Sequence, residues 1–232
     1  MARLFLLLFL LGSALAQPVT VAAASSLGPA LKALAVRFQA EGGAPVRLVL
    51  ASSGKLYGQI RAGAPYDLYL PASPRYRRGL EPEAEAPLAR GVLALYFPPH
   101  TGLTAVRLEQ LADPRVRRVA IANPRSAPYG AAAVAALKAA GVWSRVKAKL
   151  VYGESVAQAA RIAAFAADAG LIDLGSALRL AGSHRRLPPG RDPPIVYPAL
   201  LLKDRPEARA FFAYLLSEPA QRTLAAFGLE RP

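Results

Sequence analysis

Residues 19–38 read VTVAAASSLGPALKALAVRF, and residues 46–60 read VRLVLASSGKLYGQI. In the first stretch Val19, Thr20 and Val21 open a short apolar run that reads as a β-strand. The pair Ser25-Ser26 follows, suited to cap a helix. Leu27, Leu31, Leu34 and Phe38 then fall at i, i+4, i+7 and i+11, one face of a helix, which Gly42-Gly43 ends. The second stretch repeats the plan. Residues 46–50 form a strand, Ser52-Ser53 a cap, and Leu56 with Ile60 the buried face of a second helix, before a third strand at 66–70. Strands alternating with helices imply an α/β fold with mostly parallel sheets covered on both faces. Such sheets bind ligands at the carboxyl ends of their strands, where loops lead into helix N-termini.

The pattern continues toward the C-terminus. After a polar, proline-containing connection at 81–87, strands are expected at 91–97, 116–122, 150–152 and 170–174. Helices are expected at 108–111, from about 129 to Gly141, and at 155–169. Pro188-Pro189-Gly190 and Pro193-Pro194 mark a long loop, followed by terminal helices at 206–217 and 219–227. Toward the N-terminus, residues 1–16 read as a cleaved secretory signal. Arg3 precedes an apolar core at 4–11, and Ala14-Leu15-Ala16 puts small residues at the cleavage positions. That core is too short to span a bilayer, which takes ~20 residues. The mature chain is expected outside the cytoplasm. It contains no cysteine, which excludes disulfides, thiolate metal sites and a lipid-modified cysteine, so a periplasm is the expected compartment. The formal charge is +14, and cleavage would remove one arginine and no acid. In an exported chain whose arginines are scattered without aromatic interleaving, that charge does not point to nucleic acid. It serves either as a solvated surface or as a field that draws in an anionic ligand.

Four strand-to-helix junctions stand out: Ala24-Ser25-Ser26, Ser52-Ser53-Gly54, Ala127-Pro128-Tyr129-Gly130 and Glu154-Ser155-Val156. The first amides of a helix lack internal partners, and the helix dipole places partial positive charge there. Several such ends converging would solvate an anion without a fixed countercharge. Singly, each junction is equally an ordinary N-cap. Gly54-Lys55 does not make a phosphate loop, because Leu56 follows the lysine and position 49 is not glycine. His100 and His184 are the only histidines, and no G-x-S-x-G elbow exists, so a hydrolase triad and a structural zinc site lack support.

These blocks, in this order and spacing, resemble the periplasmic molybdate-binding proteins of ABC transporters. The similarity runs from residues 19–27 through 51–56 and 60–68. It continues at Asn123-Pro124, 127–130, Gly141-Val142-Trp143, 154–158, Tyr197-Pro198 and the terminal 211–228 region. The resemblance implies a two-lobed type II periplasmic binding protein. Each lobe would hold a mixed, mostly parallel sheet flanked by helices, with the ligand in the inter-lobe cleft. Residues 17–89 and 175–232 would form one lobe and 90–174 the other. Ser26 and Ser53 match the family's hydroxyl donors, and Tyr129 and Val156 its backbone N–H donors. At Asp173 some members carry a tyrosine that donates to the oxyanion. A carboxylate there would repel a dianion, so Asp173 is expected to point away or pair at the surface; turned inward, it would favour phosphate or arsenate. The implied function is non-enzymatic capture of molybdate or tungstate by a monomer that delivers it to a membrane permease, with no cofactor and no bare metal ion. The alternatives are another tetrahedral oxyanion (sulfate, phosphate or arsenate), an enzyme on the same fold, or a cytoplasmic effector-sensing domain.

Overall fold

The computed structural model of the chain describes residues 17–188 and 194–232. The expected signal sequence lies outside the described residues, as does most of the 188–194 loop. No helix among the described residues is long and apolar enough to cross a membrane.

From the N-terminus, β1 (Val19–Ala24) leads through a 3-10 turn (Ser25–Leu27) into α1 (Gly28–Ala40), and β2 (Val46–Ala51) leads into α2 (Ser53–Arg61). Then come β3 (Leu68–Leu70), β4 (Ala84–Arg90), β5 (Leu93–Phe97) and β6 (Val119–Ala122). The helices α3 (Pro128–Ala139) and α4 (Trp143–Val146) precede β7 (Leu150–Gly153), and α5 (Val156–Phe165) precedes β8 (Ala169–Asp173). The chain ends with α6 (Leu174–Arg179), β9 (Ser183–Arg186), β10 (Val196–Leu201), α7 (Pro206–Leu215) and α8 (Glu218–Ala226).

The strands form two five-stranded sheets, ordered β2-β1-β3-β10-β4 and β7-β6-β8-β5-β9. Each sheet has one reversed strand. In the first, β10 pairs antiparallel with both β3 and β4; in the second, β5 does so with β8 and β9. All other strands in a sheet run one way, so both sheets are mixed and mostly parallel, as expected. The helical face read at Leu31, Leu34 and Phe38 is buried, and Phe38 meets Phe211 of α7 edge-on at 5.0 Å. Burying such side chains contributes about 1.5–3 kcal/mol each.

The chain passes from the first sheet to the second at Gly91–Val92, between β4 and β5, and returns between β9 and β10. Backbone hydrogen bonds tie the crossing segments together: Gly91 N–H to the Ile195 carbonyl at 2.8 Å, and Leu187 N–H to the Leu93 carbonyl at 2.9 Å. Gly91 allows a close approach, since a Cβ there would stand 2.4 Å from the Tyr129 hydroxyl.

The return differs from the expected boundary at 174/175. Strand β9 hydrogen-bonds to β5, so residues up to 186 belong to the second sheet. Its sequence, Ser-His-Arg-Arg, has no apolar alternation, because it is an edge strand with polar faces. The connection read at 81–87 is also partly a strand. Pro87 sits in β4 opposite Pro198 of β10, beside a register shift, and β4 is an edge strand, where a missing N–H is tolerated.

Candidate functional site

All four junctions arrive at one place. A cavity between the two sheets is lined by Ala24, Ser25 and Ser26, by Ser52 and Ser53, by Ala127, Pro128 and Tyr129, and by Val156, with Ala51 and Ala72 completing the wall. The parallel strands β1, β2, β6 and β7 each end at this cavity and hand the chain to a helix whose N-terminus faces it. Among the described residues no charged side chain contributes to the lining. The positive potential at the lining therefore comes from helix ends and polar hydrogens.

The hydroxyls are oriented by the groups their oxygens accept from. Ser53, fully buried, accepts from Ala72 N–H at 3.0 Å. Ser25, also buried, accepts from Ala157 N–H of the opposite lobe at 3.3 Å. With the oxygen engaged, each hydroxyl proton is left to donate elsewhere, and the cavity borders both. At α3 and α5 the donors come from the backbone instead. Pro128 has no N–H to offer, whereas the Tyr129 and Val156 N–H groups meet no protein acceptor among the described residues.

Ser26, expected as the hydroxyl donor of its junction, is only partly buried, and its Oγ lies 2.8 Å from the Tyr197 hydroxyl. Tyr197 in turn donates to the Tyr129 hydroxyl at 3.0 Å, and burial pushes the pKa of both phenols up, so they stay neutral donors. Ser25, absent from the expected donors, is the deeper residue and the one contacted from across the cleft. Its signal is present as the first serine of the pair, but spacing alone does not choose between adjacent serines. Ser25→Ala is accordingly expected to weaken ligand binding by about tenfold and Ser26→Ala by less, since one hydrogen bond to a charged group contributes ~1.5–3 kcal/mol. Calorimetric titration of both variants checks the ranking, and a larger loss at Ser26 would reverse it.

The lobes also touch beyond the cavity. Gly54 N–H donates to the Ser126 carbonyl at 2.8 Å, and the Tyr76 hydroxyl donates to the same oxygen at 3.2 Å. The Arg75 guanidinium lies 4.5 Å over the Tyr76 ring and donates to the Arg125 carbonyl at 3.4 Å. These contacts join α2 and the following loops of one lobe to the β6–α3 loop of the other.

Comparison with known proteins agrees with this geometry. The profile described as bacterial extracellular solute-binding protein matches residues 19–230. The chain belongs to that family. It is 32% identical to the molybdate-binding protein ModA of Azotobacter vinelandii over 230 residues, covering 93% of this chain and 91% of that one. It is also 32% identical to ModA of Rhodobacter capsulatus, covering 87% of this chain and 82% of that one. The solved periplasmic molybdate-binding protein of A. vinelandii superposes with a TM-score of 0.84 at 30% identity, over 92% of this chain and 99% of that chain. The resemblance read from the motifs holds, and so does the two-lobed α/β fold of this solute-binding family.

Asp173, expected to point away or pair at the surface, is 3% exposed, lies outside the cavity lining, and caps α6 by accepting from Ser176 N–H through Oδ1 at 2.8 Å. Its Oδ2 is buried without a partner, and burial raises the carboxyl pKa against the opposing pull of the Ser176 contacts and Arg179. A carboxyl whose folded pKa exceeds its unfolded value takes up a proton on folding. Its contribution to stability therefore falls as pH rises from about 4, the ordinary aspartate value, through the raised folded pKa. Asp173→Asn keeps an acceptor for Ser176 N–H and removes the charge. Its melting temperature, measured against wild type by differential scanning fluorimetry, is expected to gain as pH rises above about 4 and through the raised folded pKa. A difference independent of pH would show that the carboxyl does not titrate in this range.

Proposed function

We propose that this chain is the periplasmic receptor of an ABC importer, capturing molybdate or tungstate between its lobes and presenting it to the membrane permease. The observation that carries this reading is the convergence of four helix N-termini on a cavity lined by neutral donors. Such a lining satisfies every oxygen of a fully deprotonated tetrahedral dianion. Hydrogen phosphate would bring a proton with no acceptor to receive it, and an unmet buried polar group costs ~1–3 kcal/mol. Sulfate escapes that penalty and is rejected by size, its shorter bonds leaving the oxygens out of reach of donors fixed on two lobes. The oxyanion-contacting groups are the Ser25 and Ser53 hydroxyls and the Tyr129 and Val156 amides; Ser26 joins them only on exchanging the bond it donates to Tyr197, and Asp173 lies outside the contact set. The ligand named for the A. vinelandii and R. capsulatus relatives supports the same choice. Among the described residues the lining holds no carboxylate, imidazole or thiol to serve as acid, base or nucleophile, which supports a receptor rather than an enzyme.

Isothermal titration with molybdate, tungstate, sulfate and phosphate tests the proposal. The first two are expected to bind at least about a hundredfold tighter than sulfate, a difference of roughly 2.8 kcal/mol. Phosphate is expected not to compete at neutral pH. Absence of binding by both molybdate and tungstate would sink the reading.

A further inference from the structure

On the far side of Ser25 the seam between the lobes opens into a second hollow. Its walls include Ser25 and Pro29 from the first lobe, and Ala157, Arg161, Ser176 and Arg179 from α5 and α6. Ser25 is common to the hollow and to the candidate site, and its contact with Ala157 N–H stands between the two. Among the described residues no acidic side chain lines the hollow. Arg161 and Arg179 are both exposed, and neither pairs with a carboxylate among the described residues. Arg161 follows Ala157 by four positions on α5, so both lie on one helix face. The Arg179 guanidinium rests 5.9 Å over the Phe227 ring, which belongs to the first lobe, and this holds its charge at the seam. Asp173, which acts electrostatically on Arg179, is buried behind the start of α6 with Oδ1 spent on Ser176 N–H.

The inner cavity has donors but no formal charge, so it binds a dianion at short range and attracts it weakly from a distance. Two guanidiniums in water have the complementary property. They keep their hydration, hold an anion loosely, and raise its local concentration beside the site. We propose that the Arg161–Arg179 hollow is an outer anion subsite, where a tetrahedral dianion docks before passing Ser25 into the inner site as the Ser25–Ala157 contact parts. This rests on the reading of the inner cavity as an oxyanion site. The arginines act on the rate of capture, and the neutral donors act on its duration.

Stopped-flow mixing of the mature protein with sodium molybdate, followed by intrinsic fluorescence, separates the two. Arg161→Gln with Arg179→Gln is expected to lower the association rate about three- to tenfold at low ionic strength and leave the dissociation rate unchanged. The deficit should shrink in ~0.5 M salt, where the Debye length falls to a few ångströms. Arg117→Gln with Arg145→Gln, two exposed arginines elsewhere on the second lobe, removes the same two charges and controls for net charge. An unchanged association rate, or a loss no greater than that of the Arg117→Gln, Arg145→Gln control, overturns the subsite. So does a faster dissociation that persists in high salt, which would place the arginines in the framework of the inner site. If unsubstituted protein binds no molybdate, tungstate or sulfate, the oxyanion reading itself fails and the subsite falls with it, a result distinct from any confined to the variants.

Discussion

Gly54→Val is expected to weaken molybdate binding roughly 100-fold while barely moving the melting temperature of the protein without ligand. Gly54 stands in the first turn of α2, where its N–H reaches the Ser126 carbonyl across the cleft. A Cβ at this position would lie 3.0 Å from both the Cα and the carbonyl oxygen of Ser126 and 3.1 Å from the Tyr76 hydroxyl. Valine adds two further carbons, and the β6–α3 loop must withdraw. Ser126 is three residues from Tyr129, so a withdrawn loop carries the N-terminus of α3 away from the anion. The loss combines one interlobe hydrogen bond with a charge-assisted contact, about 2–4 kcal/mol together, and each 1.4 kcal/mol is tenfold in affinity. Helix propensity does not oppose the change, since glycine is itself the poorer helix former. Titration calorimetry gives the affinity, and small-angle scattering with saturating ligand reports whether the lobes still meet. Wild-type affinity in this variant would mean that closure does not run through the Gly54–Ser126 contact.

Ser53→Ala should damage both binding and stability, and the pairing of the two effects identifies the role. The hydroxyl lost to the ligand contributes ~1.5–3 kcal/mol, or about 10- to 100-fold in affinity. The same change leaves the buried Ala72 N–H without its acceptor, at a cost of ~1–3 kcal/mol. For a chain of this size each kcal/mol corresponds to about 2–4 °C, so melting is expected to fall by roughly 3–8 °C. The α2 cap is not the cause, because Ser52 occupies that position and makes no side-chain cap bond. A fall in melting temperature with unchanged affinity would reduce Ser53 to a structural residue.

Much of this site is legible from one chain. The strands β1, β2, β6 and β7 announce themselves by short apolar runs, and the serines and prolines after them mark where helices begin. Convergence of those four ends follows from the rule for open α/β sheets, without knowledge of any side-chain contact. The two-lobed arrangement comes from the family resemblance. Three strands are hidden for physical reasons. β4 and β10 carry prolines, tolerated only because they face one another beside an irregularity, and β9 is polar on both faces. The proposed ranking of Ser25 above Ser26 depends on which hydroxyl Ala157 N–H meets from the other lobe, a contact separated by 132 positions in the chain. The expectation that Asp173 points away or pairs at the surface rests on its repulsion of a dianion; its burial is set by the packing of α6 near the chain crossing, where Leu174 N–H meets the Val92 carbonyl.

The sheet order also governs the sequence in which the molecule can assemble. All five strands of the second sheet lie between residues 93 and 186, so that lobe has its full set of partners while the C-terminal segment is still absent. The first sheet does not. Strand β10 occupies the slot between β3 and β4, and β4 has no other neighbour in its sheet. Until residues 196–201 arrive, the Leu68–Leu70 strand, wholly buried in the finished fold, keeps an open edge, the kind of edge that pairs with other chains. Pulse-labelled hydrogen exchange during refolding should therefore show β6 and β8 amides protected early and β4 amides last. A chain truncated at residue 188 should retain the second lobe and aggregate through the first. Early protection of β4 would contradict this order. The insertion of a single late strand thus decides when the receptor becomes safe from its own neighbours.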